Sequence, residues 1–408
     1  MSSFSIPLTG LEASSTALNT IANNLSNMNT TSFKSQSVTF SDLFYQQIGS
    51  SGAGNPLQVG AGTQIGSTET DFSQGSISDT SNSTDVALDG NGFFVIQNGG
   101  QTEYTRDGDF TLSSTGALTT QDGQQVMGYP VAGGAVNTNS PLTAIQIPIG
   151  AVEQPQATST LGLTANLNSA SPEGTIVPAQ ITLYDSLGVS HVATIDFTNN
   201  GGGAWGYSIA LPAGDATGGA NLTGTLQFDA NGNLTTPAAN VAGITLTGLS
   251  DKANDLNITW DLYGANNKPT ITQVASTSAV SGITQNGFAS GEYSGFSIGS
   301  DGLVSAEFSN GQTTPVGQVA LANVTNEQGM KIMAGNNYET TLGSGAATVG
   351  VAGAAGLGTL EDEALEGSNV DISTQFANLI VAQQAFEASS KAITTFDTIS
   401  QETINMIH

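Results

Sequence analysis

Near one end of the chain the apolar positions recur every seven residues. Ile372, Leu379, Phe386, Ile393 and Ile407 form one row, interrupted at Ser400, and Phe376, Ile380, Phe396 and Ile404 widen it to a stripe. That spacing predicts a long amphipathic helix. Its start is marked by Ser368 followed by Asp371, a pattern that resembles a capping box, and Asp371 can itself be the N-cap. At about 1.5 Å per residue, roughly 36 residues would span about 54 Å. A second stripe lies near the other end, where Leu11, Leu18 and Leu25 are heptad-spaced and flanked by Leu8, Ile21, Ala22 and Met28. The two stripes suit one another as an antiparallel or staggered pair. An ordinary terminal hairpin packed on its own domain is the plainer reading. Against it, Ser15, Gln383, Ser390 and Ser400 fall inside the stripes and leave an isolated pair poorly stabilised, so the pattern points to assembly with other copies.

Between the stripes the period shortens. From residue 71, Asp-Gly at 89–90, 107–108 and 122–123 and Thr-Gly at 115–116 separate the runs VAL, FFVI, EYT, FTL, ALTT and QQVMGY. Short runs between such turns predict antiparallel strands. The same grammar returns in YSGFSIGSDGLVSAEFSNGQTTPVGQVALANV. Between these blocks, ITLYDSL, HVATIDF and NITWDLYG form a third β-rich stretch entered past Pro148 and Pro155. The expected fold class is therefore α+β, with terminal helices forming a coiled-coil-like inner domain (1–30 and 364–408) and two nested, mainly antiparallel β domains. One β domain is built from 71–147 and 288–363, and an outer one, 148–287, is inserted in it. Residues 31–70 read as a linker carrying the apolar anchor Phe40, Leu43, Phe44 and Tyr45. Gly- and Ser-rich stretches near 49–54 and 343–358 read as flexible joints.

Composition narrows the function. Six Lys and Arg against 33 Asp and Glu give a net charge of −27, which argues against nucleic acid or an anionic membrane as partner. No apolar run is long enough to span a membrane. The opening MSSFSIPLTGLEAS has neither a basic n-region nor an apolar h-region, so no cleaved secretory signal is expected. The absence of cysteine suits a protein that works outside the cell.

Chemistry-bearing groups are scarce. Of the two histidines, His191 lies in the alternating run SHVATIDF, where a solvent-facing or cross-strand place is expected, and His408 closes the sequence. No Ser-His-Asp or Cys-His arrangement can be drawn from so little, and zinc lacks its customary clustered ligands. TRDGDF at 105–110 lacks the ligand spacing of a calcium loop and reads as a hairpin turn. No catalytic, cofactor-binding or metal residue is assigned, and an enzyme is not expected. A secreted hydrolase, the rival from another class, would need a carboxylate pair in a cleft.

Three separated blocks carry a resemblance. NTIANNLSNMNTTSFK at 19–34, with Asn23, Asn24, Phe33 and Lys34, is similar to the N-terminal signature of the flagellar rod and hook family of axial proteins. SQGSISDTSNSTDVALDGNGFFVI at 73–96, continued by YTRDGDFTLSSTGALTTQDGQQVMGY, resembles that family's β core. ALEGSNVDISTQFANLIVAQQAFEASSKAI at 364–393, with Ser368, Asn369, Val370 and Asp371, resembles its C-terminal signature. LYDSLGVSHVATIDF at 183–197 and the stretch 302–330 look like the hook branch, with a distal rod subunit as the alternative. The chain departs from the family at Ser32, where glycine is usual, and at Gln384, where a basic residue is common. The resemblance implies a homopolymer outside the cell, a curved, flexible, hollow tube that passes torque from rod to filament. It implies rod, hook-cap and hook-filament junction proteins as partners, and export by the flagellar type III apparatus. Leu8, Leu11, Leu18, Ile21, Leu25, Met28, Ile372, Phe376, Leu379, Phe386, Ile393, Ile404 and Ile407 are then the expected polymer contacts.

Overall fold

The computed structural model describes residues 5–50, 56–264 and 267–407. Among them are two α-helices, α1 (Ser5–Ser26) and α2 (Ile372–Ile407), with many short β-strands and their connecting turns between. The α+β class is as expected. No helix among the described residues is long and apolar enough to cross a membrane. The chain divides into two compact units, residues 1–149 with 296–306 and 314–408, and residues 150–295 with 307–313.

In the first unit the hairpin of Phe93–Asn98 and Gln101–Thr105 is the centre of an antiparallel sheet. Gln125–Ala132 pairs on one side and Asn337–Glu339 on the other. Alternating Phe93 and Val95 meet Tyr104, Met127, Ala320, Ala322 and Tyr338 in one core. Two short ladders bring distant parts of the chain together: Ile77–Asp79 pairs with Ala364–Glu366, and Val86–Asp89 with Thr359–Asp362. The root of α2 is thus a strand end held by the β sheets.

In the second unit a five-stranded antiparallel sheet, running from Ile176–Tyr184 to Leu234–Thr236, shares its core with a six-stranded sheet that includes Val241–Leu249 and Leu256–Asp261. Trp205 and Trp260 are wholly buried there, and the ring of Tyr207 meets Trp260 edge-on with centroids 5.1 Å apart. Strand Ser190–Gly201 shows the period-two logic plainly: His191, Ala193, Ile195 and Phe197 point inward.

Several expectations need correction. The stretch 31–70 is not a plain linker, because Gln36–Asp42 and Thr63–Thr70 pair antiparallel and Gln46–Ser50 pairs with Pro56–Val59. Of the joint at 49–54, residues 51–54 lie outside the described residues. The joint at 343–358 is packed: Thr348–Gly350 pairs with Leu321–Asn323, and Ser344, Ala352 and Leu357 are buried. Asp107-Gly108 is no hairpin turn. Phe110–Leu112 pairs onward with Leu118–Thr120, and Gly108 is pressed against Val86, whose N–H donates to the Gly108 carbonyl. His191 is buried rather than solvent-facing, and His408 lies outside the described residues.

Candidate functional site

The two helices run antiparallel. The Asn24 amide donates to Gln375 Oε1 (3.3 Å) at one end of the seam, and Gly10 faces Ser389 near the other. Between them Ala13, Ser14 and Ile21 of α1 and Ala382 of α2 are buried. The seam is therefore made of small and polar residues. A Cβ on Gly10 would sit 3.1 Å from Ser389 Oγ, so the backbones lie as close as these side chains allow. Leu11, Leu18 and Leu25, expected at the seam's centre, stand one position to its side and are half-buried, as are Leu379, Phe386 and Ile393.

The outer faces of the hairpin are apolar. Ile372, Phe376, Ile380, Val381, Phe396, Ile399, Ile404 and Met406 are exposed on α2, and Leu8 and Met28 on α1 or just beyond it. Ile407 ends α2. At about 100° per residue, Phe376 and Ile380 fall on one flank of the seam and Val381 and Ile399 on the other. Neither flank is covered by α1. Beside the seam a groove of about 580 Å³ opens between the helices and strand Gln36–Asp42, lined by Ala13, Ala17, Ile21, Val38, Phe40 and Ala385 among others.

At the root of the hairpin lies a buried ion cluster. Glu366 Oε1 accepts from Lys34 Nζ (2.7 Å) and Oε2 from Arg106 Nε (3.1 Å), with all three side chains 5% exposed or less. Backbone carbonyls take up further donors. Lys34 Nζ donates to the Ser73 carbonyl, and the Arg106 guanidinium to the carbonyls of Leu88, Gly90 and Gly92. The Gly75 N–H adds a bond to Glu366 Oε1. Burial pushes the Lys34 ammonium down from its ordinary value, with Glu366 opposing.

The sequence-motif residues converge on this clasp. Ser32 takes a left-handed φ of 54°, which explains why glycine suits that place. Its hydroxyl compensates by donating to the Arg106 carbonyl, and its N–H donates to the Glu366 carbonyl. Asn369 accepts from the Ser35 N–H and donates to the carbonyls of Asp71 and Ser73, while its own N–H reaches the Phe33 carbonyl. Buried Asn24 ties α1 to the next strand by exchanging bonds with the Gln36 backbone. Asn23 stays at the exposed helix end, where its side chain accepts from Asn27. Asp371 is the N-cap of α2, since Oδ1 accepts from the N–H groups of Ser373 and Thr374, and these bonds hold its carboxyl below the usual range. Ser368 is no capping-box partner; its hydroxyl accepts from the N–H of Val370. Glu366 and Arg106 were missed by the sequence reading. In a chain with six basic residues, the scarcity of cations is the signal that marks Lys34 and Arg106.

A second charged centre lies in the other unit. Buried His191 has Asp215 Oδ2 at 3.0 Å from Nδ1, with Asp185 Oδ2 at 3.1 Å and Asp251 Oδ2 at 3.6 Å from Nε2. Burial alone would lower the imidazole pKa, but Asp215 and Asp185 outweigh it and the net shift is upward. The inward parity shared with Ala193, Ile195 and Phe197 was the sequence signal for its burial.

Comparison with known proteins bears on both units. Family models match at 7–34 (Flagella basal body rod protein), 87–162 (Flagellar hook protein FlgE/F/G D1 domain), 157–288 (Flagellar basal body protein FlaE D2 domain) and 361–406 (Flagellar basal body rod FlgEFG protein C-terminal). The flagellar hook protein FlgE of Escherichia coli strain K12 is 32% identical, over 99% of each chain. That of Treponema pallidum is 31% identical over 98% of each. The crystal structure of Helicobacter pylori flagellar hook protein FlgE2 superposes with a TM-score of 0.54 at 16% identity, covering 71% of this chain and all of that one, which is a likeness of fold.

Proposed function

From the premise that the chain belongs to the flagellar hook protein family, we propose that its helical hairpin is the surface through which copies polymerise. The chain is a structural subunit of the flagellar hook, and matches to hook proteins over nearly its whole length favour the hook over the distal rod. The observation that carries the interface reading is the pair of apolar flanks on α2, exposed on a helix whose seam is already closed by α1. A helix apolar on several sides is stable in water only when other surfaces cover it. Two flanks suit contact with a neighbour on each side, as a closed tube wall demands. The clasp then holds each hairpin to its β sheets, so that torque carried along the wall reaches the rest of the subunit. The role is mechanical, not catalytic. Rod, hook-cap and junction proteins are the proposed heterologous partners and the type III apparatus the proposed export route.

The test follows from exposure. Ile380 and Val381 are 55% and 65% exposed, so Ile380→Asp or Val381→Asp should leave the free chain folded by circular dichroism. In the polymer each would bury an unpaired carboxylate at a cost of several kcal/mol and forfeit about 1.5–3 kcal/mol of apolar burial. Electron microscopy should show no tubes from either variant. Tubes of ordinary length from both would remove the hairpin flanks from the interface.

A further inference from the structure

The cluster around His191 has a donor arrangement that its own hydrogen bonds do not complete. Asp185 is wholly buried; its Oδ1 accepts from the N–H groups of Leu187 and Val189, which leaves Oδ2 facing His191. Asp251 accepts from the Ala253 N–H through Oδ1, and its Oδ2 is a buried atom without any hydrogen-bond partner. Asp215 accepts from the Ser250 hydroxyl through Oδ1 and meets Nδ1 of His191 through Oδ2. Each carboxylate thus spends one oxygen on its surroundings and turns the other toward the imidazole. A single N–H at Nε2 can serve Asp185 but leaves Asp251 Oδ2 either to share a proton with the adjacent Asp185 carboxyl or to take a cation. No Lys or Arg is paired with any of the three carboxylates among the described residues.

We propose that Asp185 Oδ2, His191 Nε2 and Asp251 Oδ2 bind one divalent transition-metal cation of the zinc or manganese class. The three atoms lie within 4.8 Å of one another, and the spacings of 3.1 and 3.6 Å from Nε2 are those of neighbouring ligands at about 2.0–2.2 Å from a shared metal. Imidazole with carboxylates suits these ions better than magnesium or calcium, which take oxygen ligands alone. As the cation binds, the Nε2 proton leaves to solvent while Nδ1–H stays, donated to Asp215. That is the carboxylate–imidazole–metal relay that fixes a histidine's tautomer and orientation. Asp215 and Asp251 keep 26% and 21% of their side-chain surface exposed, which gives the cation a way in and water a place on its open positions. Asp185 and His191 belong to the five-stranded sheet's hairpin, whereas Asp215 and Asp251 flank strands of the six-stranded sheet. The ion would therefore staple the two sheets of this unit at one end.

The experiment uses the full, unpolymerised chain freed of metal by dialysis against a chelator. Zinc titrated by calorimetry should bind at one equivalent per chain and raise the melting temperature of this unit. Asp251→Asn should abolish both effects, and Asp215→Asn, which removes only the relay, should weaken binding by roughly 10–100-fold. A His408→Gln variant leaves His191 as the chain's one imidazole, so cobalt(II) must shift its ring-proton resonances strongly. That reading decides the matter even where Asp251→Asn fails to fold. Unshifted His191 resonances, or zinc bound equally well by a folded Asp251→Asn chain, would overturn the proposal.

Discussion

At the scale of single residues the clasp has the highest stakes. Glu366 is shared by Lys34 and Arg106 with no exposed surface of its own, so Glu366→Gln leaves two buried cations short of a counter-charge. Breaking a buried pair from one side costs about 3–5 kcal/mol, and denaturant unfolding of the first unit should shift by that amount. Asp107 acts in the opposite sense. Burial, with help from the carboxylates of Asp109, Asp122 and Asp85, pushes its pKa up to about 6. Because the folded value lies above the unfolded one, the native state holds the extra proton between the two, and stability falls as pH rises from about 4 through about 6. Asp107→Asn keeps an acceptor for the Asp109 N–H and removes the ionisation penalty. It should stabilise the unit by up to about 3 kcal/mol near pH 7.5, and the gain should vanish below about pH 4. A gain of equal size at both ends of that range would mean that ionisation is not its cause.

At the scale of elements, the existence of α2 was legible because Ile372, Leu379, Phe386 and Ile393 keep a strict period. The side that α1 covers was not. The seam runs through Gln375, Ala382 and Ser389 on α2 and Gly10, Ala13 and Ser14 on α1, residues that carry no hydrophobic signal and are chosen for closeness. Heptad leucines beside such a seam read as its centre when only polarity is counted. The strands were easier, since turns such as Asp122-Gly123 and Asn310-Gly311 bound short apolar runs. The clasp was illegible for another reason: Lys34 and Glu366 are 332 positions apart, and pairing at that distance is set by sheet register. The corrected cap yields a prediction for α2. Asp371→Ala should destabilise the helix by about 1 kcal/mol, whereas Ser368→Ala should be close to neutral. Helicity of the two variants under mild denaturant distinguishes them, and equal losses would restore the capping box.

At the scale of the molecule, the second unit leaves and returns to the chain through neighbouring strands. Val152–Glu153 pairs antiparallel with Gly291–Ile298 in the register Val152↔Glu292 and Glu153↔Gly291. Replacing 154–290 by Asn-Gly therefore closes that ladder as a two-residue hairpin. The shortened chain should keep the strand signal and melting transition of residues 71–149 and 314–366. Loss of that transition would show that the first unit depends on the second for its folding.

The flanks of α2 are free in the single chain and, in the proposed assembly, covered. Native cysteine is absent, so Ile380→Cys and Val381→Cys each place one reactive thiol on one flank. The direct measurement is the rate of maleimide labelling of each variant, before and after polymerisation. Both thiols should label rapidly in the free chain and be strongly protected in the tube. Labelling in assembled tubes at the free-chain rate would mean that the α2 flanks are not the polymer contact.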